Sequence, residues 1–103
     1  MHNYSTNLFS HKKKNEFFKS VSISDIHFGK TIPENEYNIL YEQFIKKIEN
    51  IDFHVLCIAG DLFHKKELAN SDTIKYASLF IMKCEELCIK KDATLILLDG
   101  TYE

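Results

Sequence analysis

Val55-Leu56-Cys57-Ile58-Ala59-Gly60-Asp61 decides how the chain is read. Five apolar residues run without a break and stop at Gly-Asp. A run of that length is a strand, too short for a buried helix, and continuous apolarity predicts a central strand covered on both faces. Upstream, Tyr37, Leu40, Tyr41, Phe44, Ile45 and Ile48 recur at spacings of three and four, which predicts an amphipathic helix from about 34 to 50. Thr31 and Glu34 have the spacing of a capping box at its start. Before it, Phe17 to Ser24 alternates at Val21 and Ile23 and predicts another strand.

Downstream, Asn70 or Ser71 is suited to cap a second helix, with Asp72 in its first turn and Lys90 and Lys91 at its C-terminal end. Its expected buried stripe is Ile74, Ala77, Phe80, Ile81, Cys84, Leu87 and Cys88. Ala93 to Leu98 then predicts a third buried strand, ending at Asp99-Gly100. The order is β-α-β-α-β. Helical crossovers between such strands imply parallel pairing, so the fold class is α/β.

The chain has 103 residues, enough for one small domain. With 45% hydrophobic and 27% charged residues it is a globular composition, not a disordered or coiled-coil one. All 13 basic residues are Lys, against 15 acids, for a formal net charge of −2. That excludes a strongly basic nucleic-acid module and any bidentate guanidinium clamp on phosphate. Residues 1–16 carry Lys12, Lys13, Lys14 and Glu16 and read as a flexible polar leader. Cys57, Cys84 and Cys88 cannot all pair within one chain and sit on apolar faces, so they read as buried thiols of a reducing, cytoplasmic protein. No stretch has the length and apolarity of a membrane span or a signal peptide.

The chemistry-bearing residues collect where the strands end. Ligands of a parallel sheet bind beyond the carboxyl ends of its strands. Three such ends are expected, at Ser24-Asp25-Ile26-His27-Phe28-Gly29, Ala59-Gly60-Asp61-Leu62-Phe63-His64 and Leu98-Asp99-Gly100-Thr101-Tyr102-Glu103. The chain's three glycines all fall there. Asp25 and His27 are two apart, which in extended chain puts a carboxylate and an imidazole on one side, within reach of one cation. Taken singly, Asp25 is a turn former and His27 a surface histidine. Asp-x-His after one strand with Gly-Asp after the next favours a metal site. A mixed Asp and His set suits Mn, Fe or Zn better than Ca. His64 and Lys30, with Lys65 and Lys66, would rim the same mouth and meet phosphate, or simply form a solvated loop face. His54, ahead of a strand, reads as structural, and Asp99 as a turn residue or a further ligand.

Ser24-Asp25-Ile26-His27-Phe28-Gly29-Lys30 resembles the D-x-H motif of the calcineurin-like metallophosphoesterases, and Ala59 to His64 resembles their G-D motif. The flavour is closest to SbcD-type DNA-repair nucleases, including phage relatives. The resemblance runs from about Val21 to Glu103. It implies that 17–103 forms the N-terminal half of a four-layer α/β/β/α sandwich. It implies two divalent metal ions, usually Mn, with Asp25 and His27 on the first and Asp61 bridging both. It implies hydrolysis of phosphodiesters, with DNA as substrate, an SbcC-type ATPase as partner and a homodimer. A phosphoprotein or nucleotide phosphatase, and an inactive truncated fragment, are the alternatives on the same scaffold. The family's third motif reads G-N-H-[DE]. Here Gly100-Thr101-Tyr102-Glu103 either puts Thr and Tyr at the Asn and His positions or opens a G-T-x-x-H-D variant whose His would follow Glu103. The resemblance identifies no catalytic acid within the 103 residues, and the second metal site is incomplete in them.

Overall fold

The computed structural model describes residues 5–13, 16–60, 62–63 and 70–98. The chain runs through β1 (Ser5–Lys13), β2 (Glu16–Ser24), α1 (Pro33–Leu40), a π-helical turn (Tyr41–Ile45), α2 (Lys46–Ile48), β3 (Val55–Ala59), α3 (Ser71–Lys91) and β4 (Thr94–Leu98). The sheet has the order β1-β2-β3-β4. β1 pairs antiparallel with β2, whereas β2, β3 and β4 are parallel. The expected β-α-β-α-β order and parallel sheet are therefore present.

One addition lies at the start. Residues 5–13, expected as part of a flexible leader, form β1, in register from Ser5 opposite Ser24 to Lys13 opposite Glu16. The segment has little apolar content of its own, but pairing with β2 supplies backbone partners for the edge that β2 would otherwise expose.

The strand order explains where the helices sit. Because β2, β3 and β4 follow one another without a reversal, two right-handed crossovers put α1 and α3 on the same face of the sheet. On that face Val21, Ile23, Leu56 and Ile58 are buried beneath Leu40, Phe44, Ile45, Ile48, Ala77, Phe80, Cys84 and Leu87. Among the described residues no helix covers the opposite face. Val55, Cys57 and Ala59 are only half-buried, so the expectation of β3 covered on both faces does not hold for the described residues. β4, expected as a buried strand, is an edge strand with Ile96, Leu97 and Leu98 exposed.

The helices follow their patterns with local departures. From Pro33 to Ile48 the helical run is continuous, but its middle turn is π-helical. Pro33 starts it after Ile32, and no side chain caps it, so the Thr31–Glu34 capping box does not form. Asn70 is the N-cap of α3, its Oδ1 accepting from the Thr73 N–H at 2.9 Å. Thr73 takes the buried place expected for Ile74, which is exposed. Asp92 ends α3 in the left-handed region, its N–H donating to the Cys88 and Ile89 carbonyls. Cys84 and Cys88 are buried as expected, and burial pushes both thiols above their ordinary pKa, so they are packing groups and not reactive ones.

Phe80 is fully buried, with its ring 6.1 Å from Phe28 and 6.2 Å from Phe44. It joins α3 to the loop after β2 and to the first helical run. Phe80→Ala is expected to cost about 3–5 kcal/mol. Chemical denaturation should show that as a lower midpoint with an unchanged slope, or as a chain already unfolded in buffer.

Candidate metal centre

The site is built from the loops that leave β2 and β3. β2 stops at Ser24, and the next residues do not continue as extended chain. Asp25 has φ of 60° and His27 a φ of 57°, both in the left-handed region. The expected placement of the two side chains by strand alternation therefore fails. Asp and His are among the few non-glycine residues that adopt this conformation with any frequency, yet each such residue still costs about 1–3 kcal/mol. The loop has to be held.

Three contacts hold it. Ile26 and Phe28 are each 1% exposed, so the residues on either side of His27 are anchored in the core. The Phe28 N–H donates to the Leu62 carbonyl at 2.6 Å, and Phe28 forms an isolated parallel bridge with Phe63. The loop after β2 is thereby laced to the loop after β3. Third, Glu36, on α1, is fully buried. Its Oε1 accepts from the Gly29 N–H at 2.8 Å and its Oε2 from the Thr31 N–H at 2.7 Å. These short bonds to an anionic acceptor are of the stronger, charge-assisted class.

Between these anchors Asp25 is exposed and accepts a weak bond from the Ser24 hydroxyl at 3.5 Å. His27 is half-buried with its Nδ1 sealed from solvent. Gly60, at the end of β3, has φ of 82°, and a methyl group built on it would stand 3.6 Å from the Asp25 nitrogen and 3.8 Å from its Oδ1. The Gly60 N–H in turn donates to the Leu98 carbonyl at 2.9 Å. The ends of β2, β3 and β4 thus meet at one edge, with Asp25 against Gly60. Lys30 is exposed on the same loop.

Asp61, the expected bridging ligand, and His64 lie outside the described residues, as do Lys65, Lys66 and Asp99. Among the described residues no three His, Cys, Asp or Glu side chains gather as a metal-binding group. Asp25 and His27 supply an oxygen and a nitrogen donor on one loop, a pair that suits a borderline divalent ion. His54 sits at the other end of the sheet and is structural, as expected. Its Nδ1 accepts from the Lys19 N–H at 3.0 Å, its own N–H donates to the Lys19 carbonyl, and its carbonyl accepts from Thr94. A recess of about 980 Å³ opens there, lined by Lys19, Asp52, Phe53, His54, Lys90 and Lys91. It belongs to the amino ends of the strands, away from Asp25 and His27.

Sequence reading missed Glu36. The available signal is its spacing: Glu36, Leu40, Phe44 and Ile48 stand four apart and all are buried, so the carboxylate continues the apolar stripe.

No protein-family model, curated protein or solved structure matches the chain. No helix among the described residues is long and apolar enough to cross a membrane.

Gly29 has φ of 99°, and a methyl group added to it would stand 3.3 Å from Thr73 Cγ2. At Gly60 the added methyl meets only ordinary contacts. Both alanine variants should be destabilised by backbone strain, by about 1–3 kcal/mol. Gly29→Ala should lose more, because Thr73 is 4% exposed and has little room to move. Thermal melts of the two variants side by side check the order.

Proposed function

We propose that the chain carries the first metal-binding half of a metallophosphoesterase, a metal-dependent hydrolase of phosphodiesters with DNA as its substrate. The observation that carries this reading is the left-handed pair Asp25 and His27 at the end of the first parallel strand, set against Gly60 at the end of the second. The α/β arrangement with three parallel strands agrees with the N-terminal half of the four-layer sandwich. So does the position of Asp25 and His27 after β2, with Gly60 at the end of β3 beside Asp25.

In this reading Asp25 and His27 would hold the first metal ion, with Asp61 as a further ligand. A pair of divalent ions, when bound, lowers the pKa of a shared water and clamps phosphate oxygens. The residues' own part is to bind and orient. The Asp25 carboxylate is a hard oxygen donor. His27 would supply an imidazole nitrogen, a donor suited to a borderline divalent ion. Lys30, beside them, adds positive charge that draws a phosphodiester to this edge.

Titration of the 103-residue chain with Mn²⁺, followed by calorimetry, tests the ligand set. The wild type should bind, and Asp25→Asn should weaken binding by more than the roughly 10–100-fold that loss of an outer partner costs. Equal binding by the variant would remove Asp25 from the site. Hydrolysis assays with Mn²⁺ on duplex DNA, a phosphodiester and a phosphomonoester test the substrate class. Cleavage of the diester and of DNA is expected. Turnover of the monoester alone would assign the scaffold to a phosphatase.

A further inference from the structure

The buried carboxylate of Glu36 calls for an explanation that the fold alone does not supply. A glutamate in the first turn of a helix favours the helix dipole, but exposed Glu34 already does that from the surface. Removing a carboxylate from water is costly unless strong hydrogen bonds replace the water. Here both oxygens are used, one by Gly29 and one by Thr31. Two backbone N–H donors need two acceptors. An ionised carboxylate presents acceptors only, whereas a glutamine would turn its NH₂ toward one of them.

The grip lies two residues beyond His27. Upstream of it the chain passes through the left-handed Asp25 and His27, and Phe28 is tied to Leu62. Gly29, itself left-handed, turns its N–H onto Glu36 in this loop conformation. We infer that Glu36 is a positioning residue of the metal centre: its buried carboxylate, gripping Gly29 and Thr31, fixes the loop that presents Asp25 and His27 as ligands. The inference rests on the metal-site reading above. It adds that the first helix, and not only the strand ends, sets the ligand geometry.

The test uses the whole chain with wild type, Glu36→Gln and Glu36→Asp. Amide spectra report the loop, circular dichroism reports the fold, and calorimetry with Mn²⁺ alone reports the site. Glu36→Gln should keep the helix and sheet signals and shift the amides of residues 27–31. It should also weaken Mn²⁺ binding about 10–100-fold, the usual loss when a group supporting a ligand is removed. Glu36→Asp keeps the charge but shortens the reach, and should fall between the two. Wild-type affinity in a folded Glu36→Gln chain would overturn the inference and leave the metal-site reading standing. A wild type that takes up no Mn²⁺ would overturn both. Should neither variant fold, hydrogen exchange on the wild type decides. Protected Gly29 and Thr31 amides support the grip, and amides exchanging as freely as those of an open loop overturn it.

Discussion

Everything at the candidate site depends on three strands pointing the same way. Parallel pairing of β2, β3 and β4 forces each carboxyl end to the same edge, and the crossovers force the starts of α1 and α3 to that edge as well. Register makes the convergence specific. Ser24 lies opposite Ala59, and Ala59 opposite Leu98, so Asp25 and Gly60 become neighbours although 35 positions separate them. Gly60 has no side chain to hold the two loops apart, and its N–H closes onto β4.

The local conformation at that edge runs against backbone preference, and the surroundings offset it. Two non-glycine residues in the left-handed region cost together about 2–6 kcal/mol. Against this stand the full burial of Ile26 and Phe28, worth roughly 1.5–3 kcal/mol for each side chain, and charge-assisted bonds to Glu36. The anchors alternate with the strained residues: Ile26 lies between Asp25 and His27, and Phe28 follows at once. That alternation keeps the polar pair at the edge while its neighbours enter the core.

Much of the architecture was legible in the residues. Period-two and continuous apolar runs gave β2 and β3, spacings of three and four gave the helices, and Asn70 marked the start of α3. β1 was not legible, because its stability comes from pairing with β2 and not from a pattern of its own. The exposure of β4 was missed for a related reason. Thr94 to Leu98 is apolar enough for a buried strand, and only the unreversed strand order puts the described helices on one face. At the site, the approach of Asp25 to Gly60 at one edge followed from the sequence. The conformation of Asp25 and His27 did not: alternation assumes extended chain, and the strand ends one residue before Asp25. Glu36 escaped because a glutamate in a helix is usually solvated, and its partners are backbone amides, which carry no residue signature.

If Asp25 and His27 hold a metal ion at this edge, the ion itself can be located. The most direct measurement is a crystal structure of the chain grown with Mn²⁺, with anomalous scattering used to locate the ion. An anomalous peak bonded to the Asp25 carboxylate and the His27 imidazole is expected, with the Asp61 carboxylate on the same ion. A chain that crystallises with that edge intact and no peak beside Asp25 and His27, or with Mn²⁺ bound only elsewhere, would contradict the proposed site.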